Sequence, residues 1–128
     1  MLYEIRPNLF ISDMEIDETE LVEHGVTTVL VVANDVLCPA DSEKVKFLKI
    51  GLRSDRVNSP AIKDLACHIP KYLTQNGEKV AVLSKTGLER GAYVVCRVIC
   101  ELEAKTIYEV MQELKEKIPA YDITKSYF

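Results

Sequence analysis

Hydrophobic and polar positions along the 128-residue chain form strand-like and helix-like patterns in turn. Nearly uninterrupted apolar, β-branched runs predict buried strands at TTVLVVAN, residues 27–34, and KVAVL, residues 79–83. Shorter or alternating segments predict strands at LYEI and LFIS, on either side of a turn at Pro7 and Asn8, and at KVKFLKIGL, residues 44–52. The pattern therefore predicts five strands.

Four segments combine helical apolar spacing with capping or stop signals, namely residues 17–24, 60–77, 90–103 and 107–117. Gly25 ends the first helix, and Thr106 caps the last. Either Asn58 or Ser59 caps the second helix, which contains Pro70. Because an interior proline costs about 3 kcal/mol, we expect a kink or a break at Pro70. The predicted inward stripe of the last helix comprises Ile107, Val110, Met111 and Leu114.

Strands that alternate with helices imply an α/β fold, in which helices flank both faces of a mostly parallel sheet. The length suits one domain, and neither repeats nor a linker divide the chain, so we expect a single domain over residues 1–128. The tail AYDITKSYF, with Tyr121, Tyr127 and Phe128, is expected to pack back on this domain.

The composition narrows the function classes. A net charge of −4 provides no general attraction to nucleic acid or to anionic membranes, so any anion site must be local. MLYEIRPNLF carries charges where a signal peptide needs its apolar core, and no apolar run is long enough to span a membrane. We therefore expect a cytoplasmic protein with no nucleic-acid or membrane partner. The cysteines lack zinc-site spacing, and we expect reduced core thiols, no metal and no cofactor; the cysteines are Cys38, Cys67, Cys96 and Cys100.

The segment VAVLSKTGLERGA, residues 80–92, leads from a predicted strand through a glycine turn into a helix. Ligands of parallel sheets bind where strands end and helices begin. A turn at Gly87 allows backbone N–H groups to point inward, and Arg90 offers a planar fork for two phosphate oxygens. The alternative is a plain turn, in which Gly87 only relieves strain and Arg90 pairs with a surface carboxylate.

The run Ser84-Lys85-Thr86-Gly87-Leu88-Glu89-Arg90 resembles the phosphate loop of the cysteine-dependent protein tyrosine and dual-specificity phosphatases, His-Cys-x-x-Gly-x-x-Arg. The resemblance extends to IRPNLFISD, LVEHGVTTVLVV, FLKIGLRSD and the two C-terminal helices. It implies a twisted, mostly parallel sheet flanked by helices and phosphate contacts from residues 84–90. Asp55, 29 residues before Ser84, occupies the general-acid position. Ser84 and Arg90 occupy the positions of the nucleophile and the phosphate-binding arginine.

Several residues depart from that motif. Ser84 replaces the cysteine, Leu83 replaces the histidine, Glu89 replaces a residue that is often small or neutral, and Gly91 replaces a hydroxyl residue. The family reaction needs a thiolate, which loop amides and a helix dipole stabilise, whereas the same field is too weak to ionise a serine. Several departures around one position favour natural loss of catalysis over a cysteine replaced to trap substrate.

Other residues offer weak substitutes for the missing chemistry. His24 and His68 are expected to be ordinary surface or partly buried residues, and no motif supports Cys38 as a replacement thiol. Glu89, if it faced the pocket at about 6 Å with an effective dielectric of about 20, would repel phosphate by roughly 3 kcal/mol per unit charge, so we expect it to face solvent. Asp55 is either the family's proton donor or a turn residue in the polar loop RSDRVNSP.

Three function hypotheses follow. We expect a phosphatase-like domain without catalysis that binds a phosphorylated protein or a small phosphate or oxyanion ligand. The second hypothesis is an active protein tyrosine or dual-specificity phosphatase, whose cysteine was replaced by Ser84 or whose turnover is very slow. The third is an interaction scaffold that binds no phosphate. A nucleotide site of the Walker type is disfavoured because its glycine-lysine spacing is absent.

Overall fold

The computed structural model describes residues 1–120, so the predicted packing of the tail lies outside the described residues from Tyr121 onward. The elements in chain order are β1 (Leu2–Arg6), β2 (Leu9–Ser12), α1 (Glu18–Glu23), β3 (Thr28–Ala33), β4 (Lys46–Leu52), α2 (Pro60–Gln75), β5 (Val80–Leu83), α3 (Arg90–Glu103) and α4 (Ile107–Lys117). All nine elements were predicted from the sequence. β4 begins two residues later than the alternating pattern indicated, at Lys46.

The five strands form one sheet in the order β1-β2-β5-β3-β4. β2, β5, β3 and β4 are mutually parallel, whereas β1 runs antiparallel to β2 at the edge. The predicted mostly parallel α/β sheet is therefore confirmed. Because parallel strands end at the same edge, the segments that follow β2, β3, β4 and β5 meet there.

Both faces of the sheet are covered, which explains the uninterrupted apolar runs. Every residue of β3 and of β5 is buried. One face packs against α2, α3 and α4 through residues that include Leu30, Val82 and Val95. The opposite face packs against α1 and the segment after β3, through residues that include Phe10 and Leu21. No helix within residues 1–120 is long and apolar enough to cross a membrane.

The start of α2 resolves the two predicted caps. Ser59 caps the helix, since its hydroxyl accepts a hydrogen bond from the Ile62 N–H at 3.4 Å. Asn58 instead holds the preceding loop, because its side chain bonds both the N–H and the carbonyl of Arg53, at 2.7 and 3.0 Å. Of the kink or break expected at Pro70, a break is wrong, because α2 continues to Gln75. Pro70 is buried, and the burial of its ring contributes stability that opposes the loss of a helix hydrogen bond.

The inward stripe of α4 was predicted only in part. Val110 and Leu114 are fully buried and Met111 is half-buried, but Ile107 is 42% exposed. Ile107 is the first residue after the Thr106 cap, so it lies on the end turn, ahead of the turns that reach the core.

The cysteines were expected to be reduced core thiols. None of the four, which all lie within residues 1–120, forms a disulfide; Cys67 and Cys96 are buried and Cys100 is half-buried. Cys38 is exposed in the loop after β3, which corrects the expectation that it lies in the core. Its segment precedes β4 and contains neither a strand nor a helix that would carry it inward.

Candidate functional site

The loop formed by residues 84–90 connects β5, the middle strand of the sheet, to α3. The Ser84 N–H donates to the Ser12 carbonyl at 3.2 Å, and the Met14 N–H donates to the Lys85 carbonyl at 3.4 Å. These bonds hold the start of the loop against the end of β2 and the segment that follows it. The loop therefore lies at the carboxyl edge of the parallel strands, where ligands bind in sheets of this kind.

Gly87 fixes the turn at the centre of this loop. Its φ is +75°, a left-handed conformation that side chains rarely adopt. A Cβ added there would lie 3.0 Å from the Ser12 carbonyl oxygen and 2.6 Å from the Cε atom of Met1. Both the backbone conformation and the close approach of Ser12 at the end of β2 therefore require glycine.

Ser84 is buried at the inner end of the loop, with 2% of its surface exposed. Its Oγ accepts hydrogen bonds from the N–H groups of Gly87 and Gly91, both at 3.2 Å. Glu89, at the cap position of α3, makes no side-chain capping bond. Ser84 therefore takes over part of the capping role, because its hydroxyl satisfies an N–H of the first helical turn.

Other loop N–H groups are available to a ligand. Among residues 1–120, the backbone N–H groups of Lys85, Thr86 and Arg90 have no hydrogen-bond acceptor. The Thr86 hydroxyl accepts a bond from the Leu88 N–H at 3.2 Å. Lys85 and Thr86 are exposed, and Glu89 is half-buried. Unpaired amides between a strand and a helix N-terminus are the usual donors of an anion site.

Arg90 is almost completely buried, with 4% of its surface exposed. Its Nη1 donates to the Asp35 carboxylate at 2.8 Å, the Leu52 carbonyl at 3.0 Å and the Asn34 side-chain oxygen at 3.4 Å. Within the described chain, its Nε and Nη2 atoms have no hydrogen-bond partner. That edge of the guanidinium carries two parallel N–H bonds, which match two oxygens of a phosphate.

Asn34 and Asp35 were not identified from the sequence as site residues. They directly follow β3, and the Arg90 guanidinium, which hydrogen-bonds Asp35, holds the pKa of that carboxyl below its usual value. Lys85 acts in the same direction. Their position in the sequence could have identified them, because polar residues directly after a buried parallel strand lie at the ligand-binding edge of the sheet.

Asp55, the residue at the general-acid position, lies in the loop between β4 and α2. Its carboxylate accepts hydrogen bonds from Arg53 at 3.0 and 3.1 Å, and Arg56 approaches to 3.9 Å. The Arg53 hydrogen bonds are the main reason why the pKa of Asp55 lies below its usual value. Its side chain is 62% exposed and, within residues 1–120, makes no hydrogen bond or ion pair with the 84–90 loop.

The remaining candidates lie elsewhere or lack reactivity. His24 and His68 are exposed, as expected, and the His24 ring bonds the Glu20 carbonyl at 2.9 Å. Burial raises the pKa of the Cys67 thiol to about 12, so this cysteine stays protonated at neutral pH. The part of the chain that the structure describes contains no group of three or more His, Cys, Asp or Glu side chains that could hold a metal ion.

Leu83 stands where the phosphatase motif has histidine. It is buried, and it lines an apolar cavity of about 210 Å³ together with residues that include Met14 and Val36. An aliphatic side chain neither donates nor accepts a hydrogen bond, so Leu83 packs beside the loop without acting on it as a polar group.

The fold that carries this loop is the fold of the dual-specificity phosphatases. Human DUSP28 superimposes with a TM-score of 0.86 over 99% of this chain and 90% of that chain, at 20% identity. A mouse protein described as a dual-specificity phosphatase, in complex with zinc tungstate, superimposes with a TM-score of 0.85 over 98% of this chain and 80% of that chain, at 20% identity. The human tyrosine phosphatase-like serine/threonine/tyrosine-interacting protein gives 0.83 over 98% and 89%, at 19% identity. The fold that the loop motif implied is thus confirmed.

Sequence comparison alone gives no such assignment. No protein-family model matches the chain, and no curated protein matches it. At about one residue in five identical, the structural likeness establishes the fold, whereas the chemistry depends on the residues of this chain.

Proposed function

We propose that this chain is a phosphatase-like domain that binds a phosphate group through residues 84–90 without hydrolysing it. The observation that carries the proposal is the buried Arg90, whose Nε and Nη2 atoms have no partner within residues 1–120. A buried cationic donor pair without an acceptor is costly, and a bound oxyanion removes that cost. The free N–H groups of Lys85 and Thr86 add donors in the same loop.

The absence of hydrolysis follows from the side chains around the loop. Ser84 offers a neutral hydroxyl, and loop amides that stabilise a thiolate do not ionise an alcohol. Leu83 supplies no base beside it. The Asp55 carboxyl, like an ordinary aspartate, is ionised at neutral pH, and Arg53 lowers its pKa further, which makes it a poor proton donor for a leaving group.

The ligand is a phosphate monoester or a related tetrahedral oxyanion. The tungstate complex of the mouse protein supports this class, since tungstate is a tetrahedral oxyanion bound by a protein of the same fold. We infer that a phosphorylated protein is the natural source of the group, and inorganic phosphate is the simplest probe for it.

Thermal unfolding with inorganic phosphate tests the proposal. A ligand at 100 times its dissociation constant stabilises the native state by about 2.7 kcal/mol, so the melting temperature should rise with phosphate concentration. Arg90→Ala should abolish the rise. Lys115→Ala removes a positive charge from the exposed surface of α4 and serves as the matched control, which should keep it. No rise in the parent protein would overturn phosphate binding and favour the scaffold hypothesis.

One observation favours a second candidate, an active phosphatase in which Ser84 stands in place of a cysteine. The N–H groups of Gly87 and Gly91 that bond the Ser84 hydroxyl would also stabilise a thiolate at that position. The codon for position 84 in the natural gene separates the two candidates: a serine codon supports the binding domain, and a cysteine codon supports the enzyme.

A further inference from the structure

The hydrogen bonds of the Ser84 hydroxyl restrict what this group can do. A serine hydroxyl has one O–H donor and two lone pairs that accept. The N–H groups of Gly87 and Gly91, both 3.2 Å from Oγ, occupy the two acceptor positions. The O–H proton is the one hydrogen-bonding function that remains.

That proton has no acceptor among residues 1–120. Ser84 is 98% buried, so bulk water reaches it poorly. Buried hydroxyl groups in folded proteins normally have a partner for their proton, because an unpaired buried donor is destabilising. An acceptor supplied by a ligand would complete the set.

We propose that Ser84 is a ligand-binding residue whose hydroxyl donates a hydrogen bond to an oxygen of the phosphate group. The inference rests on the proposed function and adds a defined donor to the loop. It also gives a geometric reason for inactivity: with both lone pairs engaged by Gly87 and Gly91, the hydroxyl has no free electron pair to attack phosphorus. Ser84, at the nucleophile position of the phosphatase motif, thus donates a hydrogen bond to the phosphate instead of attacking it.

A cysteine thiolate at the same position behaves differently in two respects. A thiolate sulfur has three lone pairs, so one remains for attack after two N–H groups have bonded to it. It also carries a negative charge that repels a phosphate dianion, whereas the serine hydroxyl attracts it. Serine therefore favours retention of the ligand, and cysteine favours reaction with it.

Calorimetric titration of Ser84→Ala and Arg90→Ala with inorganic phosphate tests this assignment. Ser84→Ala should raise the dissociation constant for phosphate about tenfold or more, because it removes one hydrogen bond to a charged group. Normal affinity in Ser84→Ala, with binding lost in Arg90→Ala, would overturn the Ser84 inference and leave the proposed function standing. No binding by the parent protein would overturn both.

A second variant covers the case in which Ser84→Ala disturbs the loop, since alanine leaves the Gly87 and Gly91 N–H groups unpaired. Ser84→Cys keeps an acceptor for them. Sulfate keeps its double negative charge between about pH 5.5 and pH 8.5. Any change in its affinity over this range therefore comes from ionisation of the protein. Sulfate affinity of Ser84→Cys should fall about tenfold or more as the thiol ionises, while the parent loses far less over the same range. Equal affinity and equal pH dependence in the two proteins would contradict the inference.

Discussion

Ser84 in the loop and Gly91 in the first turn of α3 lie close together. A Cβ added to Gly91 would lie 2.9 Å from the Ser84 Oγ and 3.7 Å from its Cβ. A side chain at position 91 would therefore collide with the Ser84 hydroxyl. The departures at positions 84 and 91, which the sequence presents as separate, therefore belong to one packing arrangement.

Gly91→Ala tests this fit. Alanine normally stabilises a helical position by roughly 0.5–1 kcal/mol relative to glycine. The short contact with Ser84 should reverse that sign and destabilise the protein by about 1–2 kcal/mol, as overpacking does in other cores. Urea unfolding of Gly91→Ala, with and without Ser84→Ala, measures the coupling between the two positions: the destabilisation caused by Gly91→Ala should nearly vanish once Ser84→Ala has removed the hydroxyl. A more stable Gly91→Ala protein would contradict the contact.

Ser84→Cys should restore hydrolysis of 4-nitrophenyl phosphate, a substrate whose leaving group needs little protonation. The Gly87 and Gly91 N–H groups stabilise the thiolate, so this variant acquires the nucleophile that the parent lacks. Because Asp55 is already ionised, adding Asp55→Ala should change kcat by less than about threefold. A large loss in the double variant would show that Asp55 moves onto the site and donates a proton.

Asp35 should act as a positioning residue for Arg90. Asp35→Ala removes the 2.8 Å bond to Nη1, and phosphate affinity should fall about tenfold as the guanidinium loses its orientation. Asp35→Asn keeps an acceptor oxygen and should retain affinity within about threefold. Calorimetric titration compares the three proteins. Tighter phosphate binding by Asp35→Ala would mean instead that this carboxylate competes with the ligand.

Charged side chains join β1 to the two C-terminal helices, α3 and α4. Arg6 donates to Glu103 at 2.6 and 3.0 Å, and it also bonds Glu113, at 3.0 Å from Nη2. Lys105 approaches both carboxylates, at 3.1 and 3.5 Å. The Arg6 hydrogen bonds are the main reason why the pKa of Glu103 falls to about 2 and that of Glu113 lies below its usual value.

This network predicts an acid-sensitive contribution to stability. Because the pKa of Glu103 is lower in the folded state, its contribution is complete above the unfolded value of 4.5 and is lost as the pH falls towards about 2. With partial solvent screening, we expect a contribution of about 2 kcal/mol. Urea unfolding between pH 7 and pH 2 should show this loss in the parent and a smaller loss in Arg6→Ala. The same pH dependence in Arg6→Ala would exclude the network as its source.

Element bounds were predictable where a local signal specified them. Thr106 caps α4 through the Glu109 N–H, so the start of that helix follows from the sequence. Asn58 and Ser59 are equally good capping residues, and the hydrogen bonds that Asn58 makes to Arg53 within the preceding loop decide between them. Pro70 carries a local penalty that burial outweighs, and the burial is a property of the packed sheet.

The sheet as a whole was predictable from the sequence, because buried parallel strands have a distinct apolar pattern. The loop residues were predictable for a similar reason, since they lie together in the sequence. Asp35 and Arg90 are 55 positions apart, and only the parallel pairing of β3 with β5 brings them to one edge. The chain thus combines a net charge of −4 with a buried cation at the carboxyl edge of its sheet.

A phosphate titration of the ¹⁵N-labelled protein, followed by backbone amide NMR, reports whether the 84–90 loop binds the anion. Inorganic phosphate should shift the amide signals of residues 84–91, with saturable changes at Lys85, Thr86 and Arg90, whose N–H groups have no acceptor within residues 1–120. The signals of α4 should stay in place. Unchanged loop signals at saturating phosphate, or changes confined to other surfaces, would contradict a phosphate-binding loop.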